Sequence, residues 1–502
     1  LNGDGVNDLL VHIRYSSTRF AIAYVSPDGS ISSKDTIFYS TAFGNTGSEV
    51  SSGFIGDRDA DGNPEVVVGI ANDSEKGIDS GAFFVAEITT EGVVGDYTKY
   101  TEDVEAPSQY VLSKNSRFGG SIDDLGDLDG NGTVDLLVTS YGPLYVLFMN
   151  SDGTISSYTT IESGDFGAAG SVAGGDVAVL GDIDGNSATK EIAVGRSNQI
   201  IVFSMNANGT VNESFSPNAI NSASGKVGGG GVTVGGGFGA IVNSAGDING
   251  DGVMDLLVGL PSATYAGTSR EGAVSILFLN SSGQVLSEQI IGSGVGGLST
   301  TLGRSYYFGG SGTSLGDLNG DGVPDIAVGA NGYEGSIGNI RDAGGVFILF
   351  LNADGTVASE RIISTDDNEI VLSNSASMGA NAMDVIGDIN SDGVPDIAVA
   401  LRRSVGNPSG VSGEGGLIII TLNADGSPND AQIVDSTYGG LGLTLNSNDE
   451  FAAGISSIGD FNGDGIFDVA VGVPGFDKGG YANNGNFGAV QLLVKFLFFA
   501  LG

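Results

Sequence analysis

Residues 316–329 read GDLNGDGVPDIAVG, and copies of this segment recur along the whole chain of 502 residues, so it indicates the architecture of the protein. Each copy joins an acidic, glycine-rich segment to a short apolar run, which is typical of a tight turn followed by a β-strand. Close copies span 246–259, 387–400 and 459–472, looser ones span 56–69 and 126–139, a degenerate copy with one extra residue spans 181–195, and a truncated copy opens the chain at 1–11. The acids that close the motif are 56 to 72 residues apart. This period predicts one repeat domain over 1–502, and because both ends fall inside a repeat, we expect a fragment of a longer protein.

Each repeat predicts four β-strands. The motif lies between a short strand and the apolar run 325–328, and a third strand follows at 344–352. That strand ends at the turn Asn352-Ala353-Asp354-Gly355, after which an alternating fourth strand covers 356–363. Asp-Gly between apolar runs is a strong β-hairpin signal. Four-stranded units at regular spacing predict an all-β fold, a β-propeller with eight blades or, if the last inner strand completes the first blade, with seven.

The acidic segment has the spacing of a calcium-binding loop. Oxygen-bearing side chains stand at positions one, three, five and nine, a glycine at position six permits a sharp turn, and the carbonyl of position seven can point inward. Asp, Asn and Gly also favour turns without any metal. However, clustered carboxylates repel one another without a cation, and six full copies end in an acid at the same offset. The sequence therefore predicts Ca²⁺ as a cofactor at about six sites, because Mg²⁺ needs a stricter octahedron.

The predicted ligands, with the carbonyl donor of position seven included, follow from this spacing. Loop by loop, they are Asp57, Asp59, Asp61, Asn63 and Glu65; Asp127, Asp129, Asn131, Thr133 and Asp135; Asp247, Asn249, Asp251, Val253 and Asp255; Asp317, Asn319, Asp321, Val323 and Asp325; Asp388, Asn390, Asp392, Val394 and Asp396; and Asp460, Asn462, Asp464, Ile466 and Asp468.

Two further copies are incomplete. The degenerate copy keeps Asp182, Asp184 and Asn186, and the opening copy keeps Asn2, Asp4 and Asp8. In the degenerate copy Ser187 replaces the glycine, Lys190 stands where the closing acid belongs, and Glu191 comes one place late. That loop either binds a cation weakly or is free of metal.

Aromatic-glycine pairs precede several of the loops at a fixed distance. Phe118-Gly119, Phe238-Gly239 and Phe308-Gly309 each begin nine residues before the first loop Asp, and Phe451-Ala452 keeps that distance. The motif exits read VGLP, VGA and VGVP. Over essentially the whole chain these features resemble FG-GAP repeats, the units of the integrin α-subunit propeller and of its bacterial relatives. The resemblance implies calcium loops between the first and second strands of each blade, on one rim, and an extracellular adhesion or recognition domain.

The chain departs from animal integrins in two respects. It contains no cysteine, and it carries calcium loops in nearly every repeat. In both it is more similar to a bacterial or archaeal surface protein, so we expect an extracellular or cell-surface location. The ligand contacts of an integrin cannot be carried over to this sequence.

Composition excludes several classes of protein. The chain has 60 acidic and 19 basic residues, a formal net charge of −41, so it repels nucleic acid and anionic membranes. Hydrophobic residues make up 40% and charged residues 16%, which is too apolar for a disordered acidic chain. No apolar run reaches the roughly 18 residues that a membrane span needs. We therefore expect no nucleic-acid partner and no membrane insertion.

The sequence offers little for catalysis, and we predict that the chain is not an enzyme. His12 is the only histidine and lies in an alternating strand. Residues 312–316 match the Gly-x-Ser-x-Gly pattern of hydrolases, but no histidine follows them, so we interpret them as a strand. Residues 292–297 match a dinucleotide-binding pattern without a βαβ context, and we interpret them as a loop.

Three insertions, 222–237, 292–307 and 401–416, are either binding loops on a rigid scaffold or spacers. Three functions remain open. The first is a calcium-stabilised adhesion or recognition module, or a structural unit of a surface assembly, whose partner is a protein, a glycan or a neighbouring copy. The second is a glycan-binding lectin, and the third is a non-catalytic auxiliary domain of a secreted hydrolase or lyase.

Overall fold

The computed structural model describes the chain most fully between residues 122 and 435, with gaps at 141, 151–153, 167–176, 197–198, 216, 222–237, 240, 265–269, 336–340, 373, 391 and 403–413. Outside that range it describes the backbone of ten strands and residues 451–452. Side chains are described for most residues of the central range.

The described residues contain thirty strands, which form eight antiparallel sheets. The first two sheets contain β1 (Leu9–Ile13), β2 (Arg19–Val25) and β3 (Ile31–Thr36), then β4 (Val50–Gly56), β5 (Glu65–Ile70), β6 (Ala82–Ile88) and β7 (Val94–Tyr100). The next two contain β8 (Ile122–Gly126), β9 (Asp135–Val138), β10 (Leu144–Met149) and β11 (Ile155–Ile161), then β12 (Val177–Gly181), β13 (Thr189–Arg196), β14 (Gln199–Asn206) and β15 (Asn218–Asn221).

The remaining sheets follow the same plan. They contain β16 (Val242–Gly246), β17 (Asp255–Leu260), β18 (Ala273–Leu279) and β19 (Val285–Gly292), then β20 (Gly312–Gly316), β21 (Asp325–Ala330), β22 (Gly345–Leu351) and β23 (Val357–Ile363). The last two contain β24 (Met378–Val385), β25 (Ile397–Leu401), β26 (Gly416–Leu422) and β27 (Pro428–Val434), then β28 (Ile455–Ser457), β29 (Val469–Val473) and β30 (Ala489–Leu493). One short 3₁₀ helix, Ser163–Phe166, is the only helix among the described residues, and none there is long and apolar enough to cross a membrane.

Each sheet is a meander in which consecutive strands pair, and the first strands of successive sheets lie side by side. Strand β12 contacts β16, β16 contacts β20, β20 contacts β24 and β24 contacts β28, while β4 contacts β8. This places the first-strand edges of these sheets toward a common axis, which is the arrangement of a β-propeller. Six sheets have four strands, and the first and last have three each. The predicted all-β propeller is confirmed, with eight separate sheets, and β1 lies against β30 where the two ends of the chain meet.

The hydrophobic core lies between the sheets. One cluster joins the sheet β16–β19 to the sheet β20–β23 around Phe278, Phe308 and Phe347, and similar clusters join the other central pairs. Every residue of β18, β22 and β26 is buried because both faces of these strands are covered. The outer strand β23 is buried only at its two ends, and its five middle residues are exposed or half-buried. This explains why the third strands are continuous apolar runs, whereas the fourth strands carry polar residues.

The glycines of the aromatic-glycine pairs lie where the backbones of two successive blades approach closely. A Cβ added to Gly259 would lie 2.4 Å from the carbonyl oxygen of Gly309, and one added to Gly329 would lie 2.4 Å from that of Gly379. Only glycine permits so close a backbone approach. Met378 is fully buried at the position of Phe308, so Met378-Gly379 is a further pair. The sequence pattern missed it because methionine replaces the aromatic residue and β24 is irregular between Met378 and Met383.

The segment 292–307 is held against the following blade. The carboxylate of Glu360 in β23 accepts hydrogen bonds from the backbone and the hydroxyls of Ser299 and Thr300, at 2.6–2.9 Å. The amide of Val357 donates to the carbonyl of Gly296 at 2.8 Å. Residues 312–316 form β20, as expected, rather than a strand-to-helix turn. The insertion 222–237 and most of 401–416 lie outside the described residues.

Candidate metal centre

The predicted loops join the first and second strands of their sheets. They connect β8 to β9, β12 to β13, β16 to β17, β20 to β21 and β24 to β25. Because the first strands lie side by side around one axis, these loops share one end of the propeller, called the loop end below. Residues 1–8, 57–64 and 458–468, with the ligands predicted there, lie outside the described residues. The backbone of Glu65 is described, and it pairs with Gly56 as Asp325 pairs with Gly316.

The regular loops fold around their first aspartate. In the loop 317–325, Asp317 Oδ1 accepts the amide of Asp321 at 2.9 Å and its Oδ2 accepts that of Gly322 at 2.9 Å. Asn319 Oδ1 accepts the same Asp321 amide at 2.8 Å. The loops at 247 and 388 repeat these bonds. Gly322 has a φ of 91°, which an L-residue adopts only with strain, so the glycine at position six serves the turn.

The closing acid joins the loop to the third strand. Asp325 is fully buried, its Oδ2 accepts the amide of Leu318 at 3.1 Å, and its Oδ1 accepts that of Leu351, the last residue of β22, at 3.1 Å. The same two bonds, at 2.8–3.1 Å, are made by Asp135 to Leu128 and Met149, by Asp255 to Ile248 and Leu279, and by Asp396 to Ile389 and Leu422. Each closing acid is therefore a structural link as well as a candidate ligand.

Burial makes these carboxyl groups unusually basic. Desolvation raises the pKa of Asp255 and of Asp396 to about 7 and that of Asp325 to about 6, and it also raises the pKa of Asp135. The other carboxylates of the same loop add to the rise, whereas the backbone amides lower it. A buried anion next to like charges favours either a proton or a cation.

Two loops bring three carboxylate oxygens within 4.8 Å of one another among the described residues. One group is Asp127, Asp129 and Asp135, and the other is Asp182, Asp184 and Glu191. In the other described loops position three is an asparagine, such as Asn319, whose amide donates to Asp321 at 2.9 Å. Carboxylate and amide oxygens are the donors that Ca²⁺ prefers, so the residues present fit a hard divalent cation.

In the degenerate loop, the structure corrects the position of the closing acid. Glu191 pairs with Gly181 as Asp325 pairs with Gly316, and its Oε2 accepts the amide of Ile183 at 3.0 Å. Lys190 takes the place of Pro324, not of the acid. The two residues contact the equivalent glycine of the preceding sheet. The Lys190 ammonium lies 4.0 Å from a Cβ added to Gly126, and the Pro324 ring lies 2.9 Å from a Cβ added to Gly246. Counting back from the second strand, rather than forward from the first aspartate, would have identified Glu191 from the sequence.

Basic side chains are distributed unequally between the two ends of the propeller. Four exposed arginines lie in the connections at the end opposite the loops, and Arg361, near the same end of β23, pairs with Asp367. The four are Arg270, Arg304, Arg341 and Arg402. At the loop end, Lys190 is the only basic side chain among those described. The loop end is therefore strongly anionic, whereas the opposite end carries mixed charge.

Comparison with known families locates the same repeats. A model described as the FG-GAP repeat matches residues 238–277, 309–349 and 452–493, and one described as an FG-GAP-like repeat matches 127–189. The chain is 40% identical over 95 residues to integrin alpha pat-2 of Caenorhabditis elegans, covering 18% of this chain and 7% of the relative. It is 29% identical over 169 residues to integrin alpha-4 of Xenopus laevis, covering 34% and 14%.

A relative with a different name matches a similar share of the chain. Phosphatidylinositol-glycan-specific phospholipase D of Bos taurus is 28% identical over 155 residues, covering 30% of this chain and 17% of the relative. The chain thus matches between 7% and 17% of the length of these three curated relatives.

Among solved structures, a lectin from Agrocybe aegerita that recognises non-reducing terminal N-acetylglucosamine is similar with a TM-score of 0.40 and 13% identity, covering 72% of this chain and 81% of that one. The antiparallel sheets, the glycines between the blades and the positions of the repeat matches all indicate a chain of repeated propeller blades. The chain contains FG-GAP repeats and folds as an all-β propeller.

Proposed function

We propose that this propeller is a calcium-stabilised recognition module that acts outside the cell. The proposal depends above all on one observation: in every described regular loop, a buried closing acid connects a ring of oxygen side chains to the third strand of its blade. The residues that would hold Ca²⁺ are those at positions one, three, five, seven and nine of each regular loop. A bound cation would neutralise the carboxylates and tie the first turn of each blade in place.

The charge of the chain supports an environment rich in calcium. Six bound Ca²⁺ ions would change the formal charge from −41 to about −29, and they would do so where the acids are densest. Calcium at millimolar concentration saturates sites of extracellular affinity, and such binding stabilises the folded state through linkage. The similarity to integrin α chains supports the same location.

The end opposite the loops is the surface that we propose for recognition. If calcium occupies the loop end, the connections at the other end remain available to a partner, and binding residues commonly lie on such connections above a rigid scaffold. The exposed Arg270, Arg304, Arg341 and Arg402 give that surface its cationic groups. A protein, a glycan or a neighbouring copy with acidic groups would complement them.

Thermal unfolding tests the calcium proposal. The melting temperature should be about 10 °C or more higher in millimolar calcium than in excess chelator, with a much smaller effect of magnesium. An equal melting temperature in both would contradict the proposal.

A binding experiment then tests the recognition surface. The calcium-loaded protein is applied to glycan arrays and to surface proteins, and the measurement is repeated with the Arg270→Ala and Arg304→Ala variants.

The phospholipase D relative supports a second candidate, a non-catalytic auxiliary domain of a larger hydrolase. On this alternative the propeller would position a catalytic domain carried elsewhere in the full-length protein. The domain content of the complete gene distinguishes the two, because a recognition module requires no catalytic neighbour.

A further inference from the structure

One hairpin at the loop end carries a sequence that the predicted calcium sites do not use. Asn208, Gly209 and Thr210 form the triplet Asn-x-Thr, the acceptor sequence of N-linked glycosylation. Such triplets also arise by chance, so the surroundings of each asparagine decide whether a glycan fits there. The chain contains five triplets of the form Asn-x-Ser or Asn-x-Thr, which begin at Asn72, Asn131, Asn208, Asn212 and Asn280, and all but the first lie in the described part of the chain.

The hairpin 206–210 uses only one atom of the Asn208 head group. Its Oδ1 accepts the amide of Thr210 at 3.1 Å and the hydroxyl of Thr210 at 2.7 Å. The hairpin between β22 and β23 has an aspartate at the same place, and Asp354 Oδ1 accepts the amide and the hydroxyl of Thr356 at 3.0 and 2.5 Å. Aspartate and asparagine make this turn equally well. What Asn208 adds to the turn is therefore its Nδ2 amide group.

That Nδ2 group is accessible and held in a fixed place. Asn208 is exposed, and its Nδ2 makes no hydrogen bond to the described residues. The backbone carbonyl of Asn208 accepts the hydroxyl of Thr159 in the preceding blade at 2.8 Å. A Cβ added to Gly209 would lie 3.0–3.1 Å from Val146, Phe148 and Thr159, so the hairpin packs closely on that blade. A sugar on Nδ2 would extend into solvent without displacing a contact of the fold.

The other three described triplets differ in this respect. The Nδ2 of Asn131 donates to the carbonyl of Met149 at 3.0 Å, and that of Asn212 donates to Ser204 Oγ at 3.3 Å. A glycan on either nitrogen would have to break that bond. Asn280 is half-buried at the first residue of its hairpin. Of the four, Asn208 alone is exposed and has an Nδ2 without a partner among the described residues.

We infer that Asn208 is a site of N-linked glycosylation. In this reaction Nδ2 forms a bond to C1 of the first sugar of a lipid-linked oligosaccharide, and the bond between C1 and the lipid diphosphate breaks. The lipid diphosphate leaves with the electron pair, and Nδ2 gives up one proton. The amide keeps its Oδ1, so both bonds from Thr210 remain. The inference shares with the proposed function only the location outside the cell, and it does not depend on calcium.

The glycan would stand at the loop end of the propeller. The hairpin 206–210 follows the third strand β14, and the last residue of a third strand lies beside the closing acid, as Leu351 lies beside Asp325. A glycan at this place would hinder a large partner from approaching the loop end. The opposite end, with its exposed arginines, would remain open.

The experiment secretes the full chain from a eukaryotic host and measures its intact mass before and after enzymatic release of N-linked glycans. It compares the wild-type chain with Asn208→Asp and with the matched change Asn212→Asp. Aspartate stands at the place of Asn208 in two other hairpins, as Asp354 and Asp425, so Asn208→Asp keeps the turn and loses only the nitrogen that reacts. We expect the mass of Asn208→Asp to fall by one glycan and that of Asn212→Asp to be unchanged, with Asn131 unmodified in peptide mapping.

Two results would overturn the inference. One is a secreted chain in which peptide mapping finds Asn208 unmodified. The other is a glycan on Asn131 or Asn212 of the folded chain, because hydrogen bonding in the fold would then not select the site. Melting of Asn208→Asp in calcium and in chelator tests the proposed function separately. A calcium-dependent melt together with an unmodified Asn208 leaves the proposed function standing, whereas a glycosylated chain whose melt ignores calcium contradicts the proposed function alone.

Discussion

The loop 317–325 and the loop 182–191 occupy the same place in two blades that are separated by the sheet β16–β19, but their closing acids are held differently. Asp325 accepts two backbone amides, one from its own loop and one from the third strand. Glu191 accepts one, from Ile183, and the second strand of its blade begins two residues before the acid. A closing acid can therefore lack a backbone partner even where the pairing of the second and third strands is the same.

The largest expected effect comes from changing Asp325. In Asp325→Asn the amide oxygen can accept one backbone amide, but its NH₂ group must face the other, so one buried donor loses its acceptor. We expect a loss of about 2–4 kcal/mol in the free energy of unfolding, in chelator as well as in calcium. Urea unfolding in chelator measures it, with the exposed Asp321→Asn as the matched control. A loss no greater than that of the control would remove the distinction between the two loops.

The second effect is a pH dependence that changes sign with calcium. The pKa values of Asp255 and Asp396 are raised to about 7, above the ordinary value of 3.8, so the folded chain binds more protons than the unfolded chain between these pH values. In chelator, the contribution of these groups to stability is therefore present at low pH and is lost as pH rises through about 7. Its size is on the order of a few kcal/mol in total.

In calcium the dependence should be reversed, because the cation binds the ionised carboxylates. The difference in melting temperature between calcium and chelator should shrink steadily from pH 8 to pH 5. A series of melts at constant ionic strength measures this difference. A constant difference over that range would mean that the buried closing acids do not take part in calcium binding.

The smallest effects concern position six of the loop. Gly322 has a φ of 91° and no neighbour within 4 Å of an added Cβ, so Gly322→Ala should cost only backbone strain, about 1–2 kcal/mol. Ser187, in the degenerate loop, does not have a positive φ. The reverse change, Ser187→Gly, should therefore bring no gain, and a loss of about 0.5–1 kcal/mol is expected from the greater freedom of the unfolded chain. If Ser187→Gly stabilises the protein, the two loops share a conformation after all.

The repeat, the four strands of a blade and the place of the loops between the first and second strands could be predicted from the sequence. These features are local: Asp-x-Asn-x-Asp-Gly makes its turn from neighbouring residues, and an apolar run buried on both faces forms a strand wherever it stands. The assembled fold was needed to show which backbone amides each closing acid accepts and that Met378 occupies the position that Phe308 has in the preceding blade. The amide that meets Asp325 comes from Leu351, 26 residues later, and its presence depends on how three strands align. With the same strand alignment, the closing acid accepts two backbone amides in one blade and one in another, and no spacing within a single loop records this difference.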